Sequence, residues 1–196
     1  MRPICERHYG TEHLETATVY NNIACVYGGR GDYTKALECY QKALAIREKV
    51  SPEHPDTANT YNGIAVMYIA QGDNIMALEW HQKALVIREK VLGLEHPDTA
   101  NTYNGIANVH NEQGDYPKAL EWCQKALAIR EKALGLEHPD TASTYNNIAS
   151  VYYNQGDYAK ALEWCQKALA IQEKALGPEH PYTAESIALM ERIRTP

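Results

Sequence analysis

A short motif, Glu-His-Pro-Asp-Thr-Ala, begins at Glu53, Glu95 and Glu137 and returns as Glu-His-Pro-Tyr-Thr-Ala at Glu179. Between these copies a Gly-Asp dipeptide recurs at Gly31, Gly72, Gly114 and Gly156, in steps of 41, 42 and 42 residues. Self-similarity at this period means an array of like units, each of which buries its apolar face only by stacking on its neighbours. The stretch from Gly135 to Ala175 is one whole unit, and the rest of the chain is predicted to be copies of it.

Each unit reads as two helices. In the third, helix A is expected from about Pro97 to Gln113. Pro97 suits the first helical position, where its missing N–H had no partner to lose. Asp98 places a negative charge in the first turn, against the positive end of the helix dipole. Tyr103, Ile106, Ala107 and His110 fall on one helical face. Gly114 is the expected left-handed stop, and Asp115 can cap helix B by accepting a backbone N–H. Helix B then carries Ala119, Leu120, Ala126, Leu127 and Ile129 on its predicted buried side. It should end at Gly135, with Leu136 packing back in a Schellman-type contact. Small residues (Ala107, Ala119, Ala126) mark close helix approach, and large ones (Tyr103, Ile106, Leu127) fill the gaps.

These residues carry a resemblance to the tetratricopeptide repeat family. Its pattern of aromatic, large aliphatic and small residues reads here as Tyr145, Ile148, Ala149, Tyr152, Ala161, Cys165 and Ala168. The family's ordinary repeat has about 34 residues. The longer period here, with Ala-Leu-Ala-Ile-Arg-Glu-Lys leading into the Glu-His-Pro-Asp-Thr-Ala connection, is similar to the kinesin light chain type. The resemblance implies an all-α fold, a right-handed α-α superhelix of antiparallel helix pairs. Read as one solenoid over 1–196, the chain divides into the tail of a truncated preceding repeat at 1–12, repeats at 13–53, 54–95, 96–137 and 138–179, and a C-terminal capping helix at 180–196. The tail is inferred because Ile4 to His13 aligns with Ile129 to His138, which reads as a fragment of a longer array. The last segment should put Ile187, Met190 and Ile193 on one face and cover the final apolar surface, as solenoids require.

A net charge of −6 leaves no basic stripe for phosphates and argues against nucleic acid as a partner. No run approaches a membrane span, and the first ten residues lack the apolar core of a signal peptide. Five cysteines without CxxC spacing suit reduced thiols and a cytoplasmic setting. Cys123 and Cys165, at equivalent helix positions, read as small buried hydrophobes. His54, His96, His138 and His180 recur one unit apart, too far for one metal, given ligand distances of about 2 Å. They are predicted to stand at helix entries. Glu-Lys and Arg-Glu-Lys clusters near the helix B ends read as a solvated face. With no phosphate loop, nucleophile elbow or His-x-x-x-His pair, the chain is not expected to be an enzyme or to hold a cofactor.

Two binding surfaces suggest themselves. Trp80, Trp122 and Trp164 repeat on helix B. They read chiefly as packing between neighbouring B helices, and otherwise as a second binding surface. In the resembled family, helix A lines a concave groove. Carried over, the groove positions hold Asn21, Asn62, Asn104, Asn108, Asn111, Asn146, Ser150, Tyr153 and Asn154. Asparagine is a poorer helix former than alanine by up to about 0.7 kcal/mol. An in-register ladder of Asn21, Asn62, Asn104 and Asn146 therefore suggests a use, and an amide's donor and acceptor suit a peptide backbone. Hydrogen bonding between helices, or plain duplication of one unit, is the competing account. Family members that clamp acidic chaperone tails resemble one another in a groove lysine, and asparagine stands here in its place, so such tails should not bind. The expected function is an adaptor that takes an extended peptide segment of a protein partner. The alternative is a structural spacer, or an array that self-associates weakly through its ends.

Overall fold

The structure is a computed structural model that describes residues 10–195. The expected repeat tail at 1–12 therefore lies almost wholly outside the described residues. Among those described there are nine α-helices and no strand. They are α1 (Leu14–Gly29), α2 (Tyr33–Val50), α3 (Pro55–Ala70), α4 (Asn74–Val91), α5 (Pro97–Glu112), α6 (Tyr116–Leu134), α7 (Pro139–Gln155), α8 (Tyr158–Leu176) and α9 (Pro181–Arg194). The expected all-α class and alternation of A and B helices are observed. The chain groups into two compact units that divide after Leu94. The first holds the hairpins α1–α2 and α3–α4; the second holds α5–α6, α7–α8 and α9.

Local chemistry sets the helix boundaries. His13, His54, His96, His138 and His180 are the N-caps of the A helices, in extended conformation. Each Nδ1 accepts the backbone N–H two residues on, at 3.2 Å for His54 and 3.1 Å for His96. The imidazole nitrogen thus satisfies one of the donors that every helix start leaves open, and the expected placement at helix entries holds. Pro55, Pro97, Pro139 and Pro181 follow in the first turn. Asp32, Asp73, Asp115 and Asp157 cap the B helices by accepting the N–H three residues on. Gly114 at φ 75° turns the chain through the left-handed region between α5 and α6, where a side chain would be strained.

Within each hairpin the helices meet over alanines. Ala107, Ala119, Ala126, Ala149, Ala161 and Ala168 are at most 1% exposed. Cys123 and Cys165 lie fully buried beside them. Burial pushes both thiols up, to about 12 and about 11, which suits the packing role read from the sequence. In the second unit α6 packs on α7 and α8 on α9, while the A helices α5, α7 and α9 lie side by side. Leu189, Met190 and Ile193 of α9 are buried against Ala149, Ala161 and Cys165.

Two expectations require correction. Leu136 is 60% exposed and makes no Schellman-type packing contact. Gly135 ends α6 with its ψ near 166°, which sends the next residue outward. The Arg-Glu-Lys clusters are not wholly a solvated face. Their lysines are exposed and pair with the glutamate that opens each connection, Lys90 with Glu53 at 2.5 Å and Lys132 with Glu95 at 2.7 Å. Exposed pairs of this kind contribute about 0–1 kcal/mol. Their arginines, Arg47, Arg88 and Arg130, are about 95% buried.

Candidate functional site

The second unit carries a polar trough along its A helices. Near their C-terminal halves lies a cleft of about 370 Å³, lined among others by Asn108, Asn111, Ser150, Tyr153, Asn154 and Arg192. Near their N-terminal halves lies another of about 460 Å³, lined by Asn101, Ser143, Asn146, Asn147, Tyr182 and Glu185. Its floor is Arg130 and Gln172, and Asp140 completes the wall. A small cavity of about 40 Å³ shares Asn147 with the second cleft and Asn108, Asn111 and Ser150 with the first. The three hollows therefore run on from one another. From Asn101 to Glu112 the trough follows about 16 Å of helix at 1.5 Å per residue, the reach of about five extended residues.

The structure brings together Asn108, Asn111, Ser150, Tyr153 and Asn154 of the sequence-derived set in one cleft. Asn108 and Asn154 are exposed, and Ser150 and Tyr153 are half-buried. Asn154 Nδ2 donates to Asn111 Oδ1 at 3.2 Å, tying α7 to α5. The Arg192 guanidinium lies 4.9 Å from the centre of the Tyr153 ring, within the range of a cation–π contact. Arg192 is a groove cation that sequence reasoning missed.

The ladder residues sit deeper. Asn104, 8% exposed, donates from Nδ2 to Thr144 Oγ1 on α7 at 3.0 Å. Asn146 does the same to Ser186 Oγ on α9. Thr60 on α3 donates to Asn21 Oδ1 at 3.2 Å. Asn62 Oδ1 instead meets Nδ1 of His81 on α4 at 2.9 Å. Three of the four amides thus bridge one A helix to the next, the helix-to-helix use the sequence left open. The Oδ1 atoms of Asn104 and Asn146 are buried without a partner.

Behind the trough stand the buried arginines. Arg130 Nη1 donates to the Asp140 carbonyl and to Thr144 Oγ1 at 2.8 Å, and its Nη2 to Asn101 Oδ1. Arg47 reaches the Asp56 carbonyl and Thr60 Oγ1, both at 2.6 Å. Burial lowers both guanidinium pKa values from the usual range, with the nearby Asp140 and Asp56 acting in the opposite direction. No composition signal marks them, because the carbonyls they serve belong to the next hairpin.

The tryptophans pack on the helix A tyrosine of their own repeat, and Trp80 and Trp164 also join clusters that include residues of the preceding B helix, Tyr40 and Leu44 for Trp80 and Cys123 for Trp164. Ring centres are 5.5 Å apart for Tyr61–Trp80, 5.2 Å for Tyr103–Trp122 and 5.4 Å for Tyr145–Trp164. A lysine lies over each outer face, at 4.0 Å for Lys83 and 4.2 Å for Lys125. Among the described residues, no helix is long and apolar enough to cross a membrane, and no cluster of three His, Cys, Asp or Glu side chains is placed to hold a metal.

Comparison with known proteins fits this geometry. A tetratricopeptide repeat family model matches residues 2–49, 56–132 and 98–153, and a second of the same description matches 141–182. No curated protein matches. Among solved structures, the kinesin light chain nearly identical TPR-like repeats of Podosopora anserina are 28% identical over 94% of this chain and 87% of that one, with a TM-score of 0.71. BtubC (BKLC) from P. vanneervenii is 20% identical over 99% of this chain and 84% of its own, with a TM-score of 0.71. A Rap protein complexed with Competence and Sporulation Factor shares the fold, with a TM-score of 0.79, 21% identity, and coverage of 91% of this chain and 48% of that one. The chain belongs to the tetratricopeptide repeat family, and its 42-residue repeats are kinesin light chain-like.

Proposed function

We propose that this chain, a protein-interaction scaffold as its repeat family implies, holds an extended segment of a partner protein in the trough along α5, α7 and α9. The observation that carries this reading is the row of accessible side chains in the first cleft. Asn108, Ser150 and Asn154 offer both donors and acceptors, and Tyr153 offers an aromatic face. Such groups match the alternating N–H and C=O of an extended backbone. In this reading Asn104 and Asn146 act from behind, holding the A helices in register. Asn21 has the same role in the first unit, whereas Asn62 ties α3 to α4 of its own hairpin through His81. A solved structure of the same fold carries a bound factor, which accords with a partner-binding use.

The test selects peptides from a random library on the whole chain and titrates the best by fluorescence anisotropy. Replacing Asn108 and Asn154 together with Ala should weaken binding about tenfold or more, since each hydrogen bond contributes about 0.5–1.5 kcal/mol net. Asn21→Ala, in the other unit, should leave it unchanged. The spacer reading draws on the bridging amides, which give the asparagines a purely structural use. It prevails if no peptide is selected, whereas equal binding by the double variant would remove this cleft as the site.

A further inference from the structure

Three hairpins bury an arginine at one position of helix B, namely Arg47, Arg88 and Arg130, and the fourth has Gln172 there. In the third hairpin the guanidinium fills the space between Asn101 on α5 and the Asp140 carbonyl and Thr144 on α7. In the fourth, both sides of that arrangement are shorter. Gln172 replaces the arginine, and Ser143 replaces the asparagine found at Asn59 and Asn101. Gln172 Oε1 accepts from Ser186 Oγ, while its Nε2 stays unpartnered in a residue with no exposed surface. The space opens as the cleft of about 460 Å³ whose walls include both Ser143 and Gln172.

This cleft is rich in acceptors. Asp140 and Glu185 line it, and neither carboxylate pairs with a lysine or arginine side chain among the described residues. Arg130 serves the Asp140 carbonyl rather than its carboxylate. Asn146 Oδ1 has no partner. Counting Arg130, Asp140 and Glu185, the lining carries a formal charge of −1.

We propose that the cleft receives the guanidinium of an arginine in the bound segment, so that the partner supplies in trans the group that the other hairpins supply themselves. This rests on the trough reading above and names one side chain of its ligand. A planar guanidinium offers five donors in a fixed fork and suits carboxylate and amide oxygens at once. An ammonium lacks that fork, and an acidic side chain would meet Asp140 and Glu185.

The probe is N-acetyl-arginine methylamide, titrated into the full chain and followed by proton–nitrogen correlation spectra. The expected result is a saturable shift of the Gln172 and Asn146 side-chain amides and of the Ser143 and Glu185 backbone signals. The uncharged citrulline analogue should bind at least about tenfold more weakly, because it lacks the charge-assisted bonds. Glu185→Gln, at an exposed position, should weaken the arginine probe to the same degree. Gln172→Arg with Ser143→Asn should close the cleft and abolish the shifts. Absence of localised shifts, equal binding of the citrulline probe, or indifference to Glu185→Gln overturns the proposal. Selected peptides that bind through Asn108 and Asn154 while the arginine probe does not would overturn this inference alone. Probe binding without any selected peptide would overturn the trough reading instead.

Discussion

The ring of Tyr40 on α2 occupies the space in front of Gly63 on α3. A Cβ at Gly63 would stand 2.5 Å from Tyr40 Cζ and 2.6 Å from Cε1. Tyr40 is 3% exposed, and its hydroxyl lies 3.3 Å from Cys25 Sγ. Where the third hairpin has Cys123, the following A helix carries Asn147 instead of glycine, and both line one small cavity. Bulk at this contact is therefore exchanged between neighbouring repeats.

Gly63→Ala tests the exchange. Alanine improves helix propensity by about 1 kcal/mol, but it must displace a ring locked in the core, and overpacking costs about 1–3 kcal/mol. The expected outcome is a lower urea midpoint, despite the better helix former. Tyr40→Cys should remove the penalty, so a double-mutant cycle should give a coupling of about 1 kcal/mol or more. Additive effects would show that the two positions do not share this space.

His81 predicts a pH dependence. It is 2% exposed, Nδ1 meets Asn62 Oδ1, and Nε2 has no partner. Burial, assisted by the nearby Arg88, lowers its pKa from 6.5 to about 4. The unfolded chain therefore binds a proton below about pH 6.5 that the folded chain refuses until about pH 4. Stability should fall as pH drops through that window, by on the order of 3 kcal/mol from this group. Burial also lowers the pKa of His110, adding a contribution of the same sign. His81→Cys, which installs the residue of the third and fourth hairpins, should flatten most of the slope between pH 6.5 and 4.5 in urea titrations. An unchanged slope would place the titration elsewhere.

What the sequence made legible was local. His54, His96, Asp73 and Asp115 announce helix starts because a cap and its N–H lie two or three residues apart. Ala119 and Cys123 fall on a helical period. The partners of Arg130 and Asn104 were not legible. Arg130 serves Asp140, ten residues on, and Asn104 serves Thr144, forty residues on, and only stacking brings them together. Arginine near a helix end ordinarily marks solvent, so the surface reading of Arg-Glu-Lys held for the lysines and for the exposed Glu48 but not for the arginines. In the candidate site, Asn108, Asn111, Ser150, Tyr153 and Asn154 line one cleft. Arg192 did not stand out, because it interrupts the apolar face of the last helix and its partner, Tyr153, lies in another repeat.

The buried arginines should matter to stability. Arg130→Gln copies the fourth hairpin into the third. The shorter amide cannot reach Asn101 Oδ1, the Asp140 carbonyl and Thr144 together, so buried acceptors lose their donor, at about 1–3 kcal/mol. Guanidinium desolvation is relieved at the same time, which limits the loss. The expected result is a lower urea midpoint with an unchanged slope. Because the space vacated adjoins Asn101, Arg130→Gln should also admit the arginine probe at a second position in the third hairpin.

The last helix is predicted to act as a lid on the fourth hairpin. Leu189, Met190 and Ile193 lie over Ala149, Ala161 and Cys165, and burying such side chains contributes about 1.5–3 kcal/mol each. At the edge of the same cluster, Arg192 lies over the ring of Tyr153. The two contacts can be separated by substitution. Ile193→Asp places an unpaired carboxylate in the apolar contact, which should lower the melting temperature and expose the alanine-rich face. Light scattering should then show self-association that rises with concentration. Arg192→Ala removes only the cation above Tyr153, so it should leave the melting temperature and mass nearly unchanged while weakening selected peptides that use the Tyr153 cleft. If Ile193→Asp left both melting temperature and mass unaltered, α9 would not be the cover of this array. Equal peptide affinity after Arg192→Ala would remove that cation from the trough while leaving the role of α9 as a cover intact.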